Sequence, residues 1–574
     1  MSSAPKHLHH PQPRGLWRAL AILLLATTLI KLALILAPPA DLYLVGGSQS
    51  PVTWIGEEAH RGTTALDFLT GRILSLLDYQ YAPFFGGALV VSVVAMPFFA
   101  WLGPSVSALK MTGLVFNGFA TLFLFLALDR CLGRRAAWFG AFLFALSPPG
   151  YSILAITAFG SHVETNAFAM AAFYFSVLLM GKLRPDADAP DDNPPSRLIA
   201  GLLGFTAGFG IYFSYIVMLS LAAIGATWIL GGRLRRLRAA APAIIVGFLM
   251  GLAPWLAFNV PRSFPGMTIY GRSLGNAGSA EGPSALARMG QLLSDGYPGS
   301  FFFSDYGPIS GRMQGLLSAF LVIGLALAAF CFFGARSDEP CQKPAGGAEA
   351  SRDKWRSRLG HPALALLIQP LLFLLAYGFT GFKVGDEPHA VVSFRYVYAT
   401  FPFLAGAAGC TLARIWSMNT LGPRIATVVT LLLVAPAAIG TARLVDLDRW
   451  GSGLEEEGYS YSAMGRFLVM TFHARPETVV DAVERAYELR SEEDMHEMLF
   501  GMSMQMRQLI LSRKPLRARM KLIQEDCPAL LRRVRECVRE EHAPYFEELT
   551  KKSRLYRHDQ REMFWSDFRE RRKS

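Results

Sequence analysis

Charge is scarce in this chain: of 574 residues only 17% are charged, 52% are hydrophobic, and the mean hydropathy is +0.30. That balance is too apolar for an ordinary soluble domain. Cysteine is scarce as well. The six residues show no CxxC pair and no metal-ligand spacing, which leaves a cysteine-built metal centre without support. No Walker motif, GxSxG, HExxH or Rossmann fingerprint stands in a suitable context, so ATP-driven transport and soluble-type hydrolase chemistry lose support. No fixed-period repeat marks a solenoid.

What the chain has instead are apolar stretches long enough to cross a hydrocarbon core, which takes roughly 20 helical residues, and they recur from residue 16 to about 445. It reads as a polytopic membrane protein. The formal net charge of +12 could suggest nucleic acid. Most Lys and Arg, however, lie in short loops between apolar runs, where they set topology and favour anionic headgroups, so no nucleic-acid partner is expected. The first run, 16–37, follows Arg14 and is followed by Pro38-Pro39 rather than a small-residue cleavage site, as in a signal anchor.

With Lys6, Arg14 and Arg18 holding the N-terminus inside, the segment 38–83 lies outside; it carries Asp41, Glu57, Glu58, Asp67 and Asp78 against Arg61 and Arg72. Arg130, Arg134 and Arg135 then belong inside. Two apolar runs, 84–102 and 106–128, precede that cluster, and two crossings would put it outside. The first run, which contains Pro97, is therefore expected to lie along the outer interface or to re-enter. Further spans are expected near 136–154, 164–181, 198–212, 214–231, 240–259, 313–334, 362–380, 396–415 and 424–445, about eleven in all. Residues 1–449 would form this transmembrane domain, and 450–574 a polar, mostly helical domain on the outer side. Glycine strings at 201–210 and 247–251 lie within apolar runs, where close helix packing explains them better than phosphate loops. Cys131, Cys331 and Cys410 lie in or beside apolar runs as small hydrophobes. Cys527 and Cys537 could pair in an oxidising compartment, but a continuous helix would hold them ~15 Å apart, so pairing needs a turn near Pro528.

Between the runs ending near Ala155 and starting near Asn166 sits Gly160-Ser161-His162-Val163-Glu164. Ionisable groups at a membrane edge cost several kcal/mol unless they face a polar cavity or a partner, which makes them functional candidates. The outer loops collect Glu57 and Glu58, then His162 and Glu164, then Lys383, Asp386, Glu387, His389 and Arg395. A carboxylate can deprotonate a hydroxyl, two can hold a divalent cation, and Arg can neutralise a phosphate. These are the parts needed to move a group from a lipid phosphate carrier to an acceptor hydroxyl or amine. Each has a plainer reading: a solvated acidic turn for Glu57-Glu58, a helix-start carboxylate for Glu164, a loop hydrogen bond for His162. For Arg395, with Tyr396 and Tyr398, it is a snorkelling interfacial anchor.

The order of features resembles the GT-C glycosyltransferases, which include protein O-mannosyltransferases, lipid A aminoarabinose transferases and oligosaccharyltransferase catalytic subunits. It covers roughly 16–184: one helix, an acidic outer loop, an interfacial Pro-containing run, a span ending in Arg130-Cys131-Leu132-Gly133-Arg134-Arg135, then a span ending in Ser147-Pro148-Pro149-Gly150-Tyr151. That last string, followed by the 160–164 insert, is similar to the oligosaccharyltransferase stretch in which Pro-Gly-Tyr precedes Gly-Ser-Tyr-Asp-Asn-Glu. Phe394-Arg395-Tyr396 resembles an Arg-Tyr pair late in many members. The resemblance implies an all-α GT-C-like bundle and an inverting transfer, at the non-cytoplasmic face, from a polyprenyl-linked sugar donor to a glycan, lipid or protein acceptor. Glu57 or Glu58 would stand for the first-loop acid. His162 and Glu164 would stand for the second acidic position, possible ligands of Mg or Mn, while Arg395, Tyr396 and Lys383 would meet the donor phosphate. The chain departs from the family pattern in having Glu where Asp is usual and His-Val-Glu where Asp-Asn-Glu is usual, a thinner oxygen site for a divalent cation. A bacterial inner membrane with the site facing the periplasm is the expected setting. The rival from another class is a transporter or lipid-linked-sugar flippase, for which paired halves with broken helices are expected; a third is an inactive scaffold.

Overall fold

Runs of Leu, Ala, Val and Phe closed by Gly, Pro and basic turns produce helices and, among the described residues, no strand. The computed structural model describes residues 13–36, 51–71, 86–181, 195–267, 284–302, 324, 361–379, 395–418, 420–443, 460–489, 492–510 and 518–543. In order the helices are α1 (Pro13–Leu36), α2 (Pro51–Leu69), α3 (Gly87–Leu102), α4 (Val106–Leu132), α5 (Arg134–Ala145), α6 (Pro149–Leu154), α7 (Thr165–Met180), α8 (Arg197–Phe213), α9 (Val217–Leu230) and α10 (Leu234–Asn259). They continue with α11 (Ala285–Gln291), α12 (Tyr297–Phe302), α13 (Ala365–Phe379), α14 (Phe401–Trp416), α15 (Gly422–Arg443), α16 (Ser460–Phe472), α17 (Pro476–Leu489), α18 (Glu492–Ile510) and α19 (Ala518–Cys537). The chain divides into two compact units, one of Met1–Asp41, Gln80–Val94 and Val106–Gly453, the other of Leu42–Tyr79, Ala95–Ser105 and Leu454–Ser574.

The chain is an all-α polytopic membrane protein. Six described helical segments are long and apolar enough to cross a bilayer: Gly15–Leu36, Val106–Leu132, Leu234–Arg262, Pro362–Phe379, Tyr396–Trp416 and Gly422–Ala442. Four more apolar helices are shorter, α3, α7, α8 and α9. Helix α3, at 16 residues, rises roughly 24 Å, less than the ~30 Å core. Large apolar side chains remain exposed along α10 (Ile245, Val246, Leu249, Met250) and α15 (Val428, Leu431, Leu432). Such surfaces suit a lipid solvent, which supplies the apolar contact that a core supplies elsewhere.

Two expectations need correction. The stretch 136–154 is not one span: α5 ends at Ala145 and α6 starts at Pro149. Pro148 and Pro149 lack the N–H groups that would continue the ladder, so the chain turns there. The first outer segment, expected as a loop, holds the 19-residue helix α2, whose residues 61–67 are all buried. The span expected near 313–334 lies, residue 324 apart, outside the described residues.

In the first unit, α4 packs against α1, α5 and α7, and α14 packs on α5. The glycine strings work as spacing suggests. A Cβ on Gly204 or Gly208 would overlap the carbonyl oxygen of Ile244 or Phe248, and one on Gly247 or Gly251 that of Gly201 or Phe205. Helices α8 and α10 thus meet backbone to backbone, which small residues permit where lipid offers no hydrophobic drive for association.

In the second unit, α2 packs on α16, where the Thr63 hydroxyl donates to the Met470 carbonyl, and α16 packs on α18. His473 Nδ1 pairs with Asp526 Oδ2 at 2.6 Å. Helix α19 runs through Pro528 without a turn, and Cys527 and Cys537 are free thiols. The optional disulfide is therefore excluded by helix geometry. Burial, aided by Asp526, pushes the Cys527 thiol up to about 12, and burial with Glu484 nearby pushes Cys537 up to about 11.

Two outcomes follow. Gly247→Leu forces α8 and α10 apart and lowers stability by ~2 kcal/mol or more, read as a lower thermal midpoint in detergent; an unchanged midpoint contradicts the close packing. Maleimide labelling of Cys527 at pH 8 is at least roughly tenfold slower in the folded protein than after unfolding, and equal rates contradict its buried thiol.

Candidate functional site

Every residue from 147 to 167 is buried, although only α6 and the first turn of α7 in that stretch are helical. Non-helical backbone is tolerated at such depth only where protein satisfies its polar groups. The chain leaving α6 does so step by step: the N–H groups of Ala155, Ile156 and Thr157 donate to the carbonyls of Tyr151, Ile153 and Leu154. The next turn is closed by Glu164. Its Oε1 accepts from the Gly160 N–H at 2.7 Å and its Oε2 from the His162 N–H at 3.3 Å. The Ser214 hydroxyl donates to the Ser161 carbonyl at 3.0 Å, tying the loop to the end of α8.

Gly160 adopts φ +73°, a left-handed conformation that a side chain would strain. It also lies directly against Gly87 at the start of α3, where a Cβ on either residue would overlap the other's backbone. The loop is therefore part of the protein interior, not the surface turn that its polarity suggests.

His162 is 2% exposed, and its ring stands edge-on to Phe159 and to Tyr396, with centroids 5.3 and 5.0 Å away. Tyr396 belongs to the 3-10 turn Arg395–Thr400 that leads into α14. From α7, the Asn166 amide donates to the Tyr151 hydroxyl at 3.2 Å and to the Tyr398 carbonyl at 3.1 Å. Tyr398 is 0% exposed and its hydroxyl donates to the Ser300 carbonyl. Its burial does not fit the plainer reading of Tyr398 as an interfacial anchor. Tyr151 packs edge-to-face with Tyr398 and lies 4.7 Å from the Phe401 ring centre. Two motifs more than two hundred residues apart are thus joined in one buried cluster of aromatic rings and amide hydrogen bonds.

The remaining candidates fall elsewhere. Glu58, 1% exposed, sits on α2 in the second unit; Glu57, on the same helix, and Arg395 are described by backbone alone. Lys383, Asp386, Glu387 and His389 lie outside the described residues. Each Glu164 oxygen accepts from its own loop, and among the described residues no three His, Cys, Asp or Glu gather as ligands. Sequence reasoning passed over Asn166, Ser300 and Lys31. Asn166 and Ser300 are ordinary polar residues with no local signal, whereas Lys31 is a charge inside an apolar run.

No family model and no curated protein matches the chain. Among solved structures it is similar to the archaeal oligosaccharyltransferase AglB from Archaeoglobus fulgidus, in complex with an inhibitory peptide and a dolichol-phosphate. The identity is 14% and the TM-score 0.45, over 76% of this chain and 56% of that one. It is similar also to ArnT from Cupriavidus metallidurans bound to undecaprenyl phosphate, at 14% identity and TM-score 0.43, over 90% of this chain and 76% of that one. Both neighbours are GT-C glycosyltransferases, the family that the motifs resemble. This chain spans little more than half the length of the oligosaccharyltransferase, and likeness of this degree assigns it no activity.

Glu164→Ala removes the acceptor of two buried N–H groups and costs roughly 2 kcal/mol or more. Glu164→Gln, which keeps one carbonyl acceptor, costs less. Thermal midpoints in detergent check the order; equal midpoints for wild type and both variants contradict the closed loop.

Proposed function

We propose that the chain is a membrane glycosyltransferase that moves a sugar from a polyprenyl-phosphate-linked donor to a hydroxyl or amine of a glycan, lipid or protein acceptor at the non-cytoplasmic face. The observation that supports this reading is the joining of the 160–164 loop to the turn at Arg395–Thr400, through His162 with Tyr396 and Asn166 with Tyr398. These strings carry the family resemblance, and they are distant in sequence.

In the proposed step the acceptor oxygen or nitrogen attacks the anomeric carbon of the sugar as its bond to the carrier phosphate breaks, with inversion. The acceptor's proton passes to a carboxylate, Glu57 or Glu58. A positioned base of this kind contributes roughly 10²–10⁴-fold. Arg395, with Lys383, meets the charge left on the carrier phosphate, where a guanidinium can bind two oxygens at once. Tyr396 lines the donor site with His162 packed behind it, and Glu164 keeps the loop in shape. The oligosaccharyltransferase neighbour also has a structure in complex with Zn and sulfate. In this chain His162 and Glu164 would hold such a cation, which would steady the charge left on the carrier phosphate. A bacterial inner membrane, with the site and the C-terminal helices facing the periplasm, is the proposed setting.

Dolichol-phosphate and undecaprenyl phosphate, the lipids bound in the two neighbours, name the carriers to supply first. Membranes given a carrier-linked sugar are expected to release free carrier. Either Glu57→Gln or Glu58→Gln is expected to lower that rate by about 10²-fold or more, and Arg395→Gln to weaken use of the donor. No release by wild type with any polyprenyl-linked sugar, or full rates in all three variants, would overturn the reading.

A further inference from the structure

The first membrane helix carries a lysine that the scheme above does not use. Lys31, on α1, is 0% exposed, and its Nζ donates to Ser147 Oγ at 2.6 Å and to Ser152 Oγ at 2.7 Å. The two hydroxyls are 2.9 Å apart, and the Ser152 hydroxyl also approaches the Ser147 carbonyl at 3.1 Å. No carboxylate joins this cluster among the described residues. A lysine within an apolar span is costly, so its retention calls for a role.

The two serines give that role a location. Ser147 precedes the Pro148-Pro149 break and Ser152 follows it on α6. Lys31 therefore ties both sides of the break to α1. Helix α6 has only six residues, far too few to hold its own direction. Its direction must come from what it touches. On another side it is fixed by Gly150, which has no room for a Cβ against the Ser300 carbonyl, and by the Tyr151 hydroxyl, which accepts from Asn166. Above it the backbone runs by successive hydrogen bonds through Ala155, Ile156 and Thr157 toward Gly160. A turn of α6 about its axis would carry Tyr151 away from Asn166 and shift the loop that Glu164 closes.

We propose that Lys31 is a positioning residue for the 160–164 loop. Its amine locks the 147–152 break onto α1 and so fixes Tyr151 beneath Asn166. The effect on catalysis rests on the glycosyltransferase reading; the effect on the loop does not.

Hydrogen exchange on the full-length protein in detergent separates the two. Lys31→Met is expected to speed exchange of the Gly160 and His162 amides about tenfold or more, with α8 and α10 amides within about twofold. Ser152→Ala is expected to show the same pattern more weakly, and it decides the matter if Lys31→Met does not fold. The double variant is expected to be no worse than Lys31→Met alone, because both remove one linkage. If wild type releases carrier, Lys31→Met lowers kcat about tenfold, and Lys31→Gln, which keeps two N–H donors, recovers part of both rate and protection. Unchanged exchange at Gly160 and His162, or a uniform rise across the protein, overturns the proposal. Wild type that releases no carrier sinks the glycosyltransferase reading, and the exchange pattern still decides on Lys31.

Discussion

Non-helical backbone buried inside a membrane protein must find its hydrogen-bond partners within the protein, and residues 155–164 meet that demand with the Glu164 carboxylate. Much else in the first unit is arranged around this closure. Gly160 must take its left-handed turn for the carboxylate to reach back, and Gly87 must lack a side chain for α3 to pass beside it. Asn166, at the start of α7, can then reach across to the Tyr398 carbonyl. A charged side chain is the stronger acceptor for two N–H groups, which gives Glu164 a structural reason to be Glu whatever chemistry occurs nearby.

The same constraint ties the site to the break in the helix before it. Two prolines stop α5, six residues form α6, and the gap is bridged by side chains: Lys31 with two serines on one side, Tyr151 with Asn166 on another. Aromatic rings fill the space between, with Tyr151 against both Tyr398 and Phe401 and His162 edge-on to Tyr396. Residues from α1, α6, α7 and the turn before α14 thus hold one another in a single arrangement. Such a cluster is rigid because each ring and amide is limited by several neighbours.

The long spans were legible because a run of twenty apolar residues has few other uses. Helix α2 was not: Glu57, Glu58, Arg61 and Asp67 give it the composition of a solvated loop, and its burial comes with its packing on α16. The 147–152 break was half legible. Pro148-Pro149 marked an end, but nothing local shows that a separate short helix follows and stays inside. The 160–164 insert was singled out for its ionisable groups, but nothing local shows its burial, with Glu164 accepting from two backbone N–H groups and the His162 ring edge-on to two aromatic rings. Lys31 carries the same signal, a charge where none is expected. A single residue does not interrupt an apolar run, so periodicity and hydropathy pass over it. The place of Tyr398 was open because an aromatic residue at a span end fits an interfacial belt as well as a core.

The proposed function puts the phosphate of a polyprenyl donor at Arg395, on the turn that Tyr396 joins to the 160–164 loop. A polyprenyl phosphate bearing a photoreactive group next to its phosphate, irradiated with the protein in membranes, tests this most directly. The account predicts label on peptides containing 160–166 and 395–400, suppressed by unlabelled polyprenyl phosphate. Label confined to the lipid-facing sides of α10 and α15, with no competition, would contradict it.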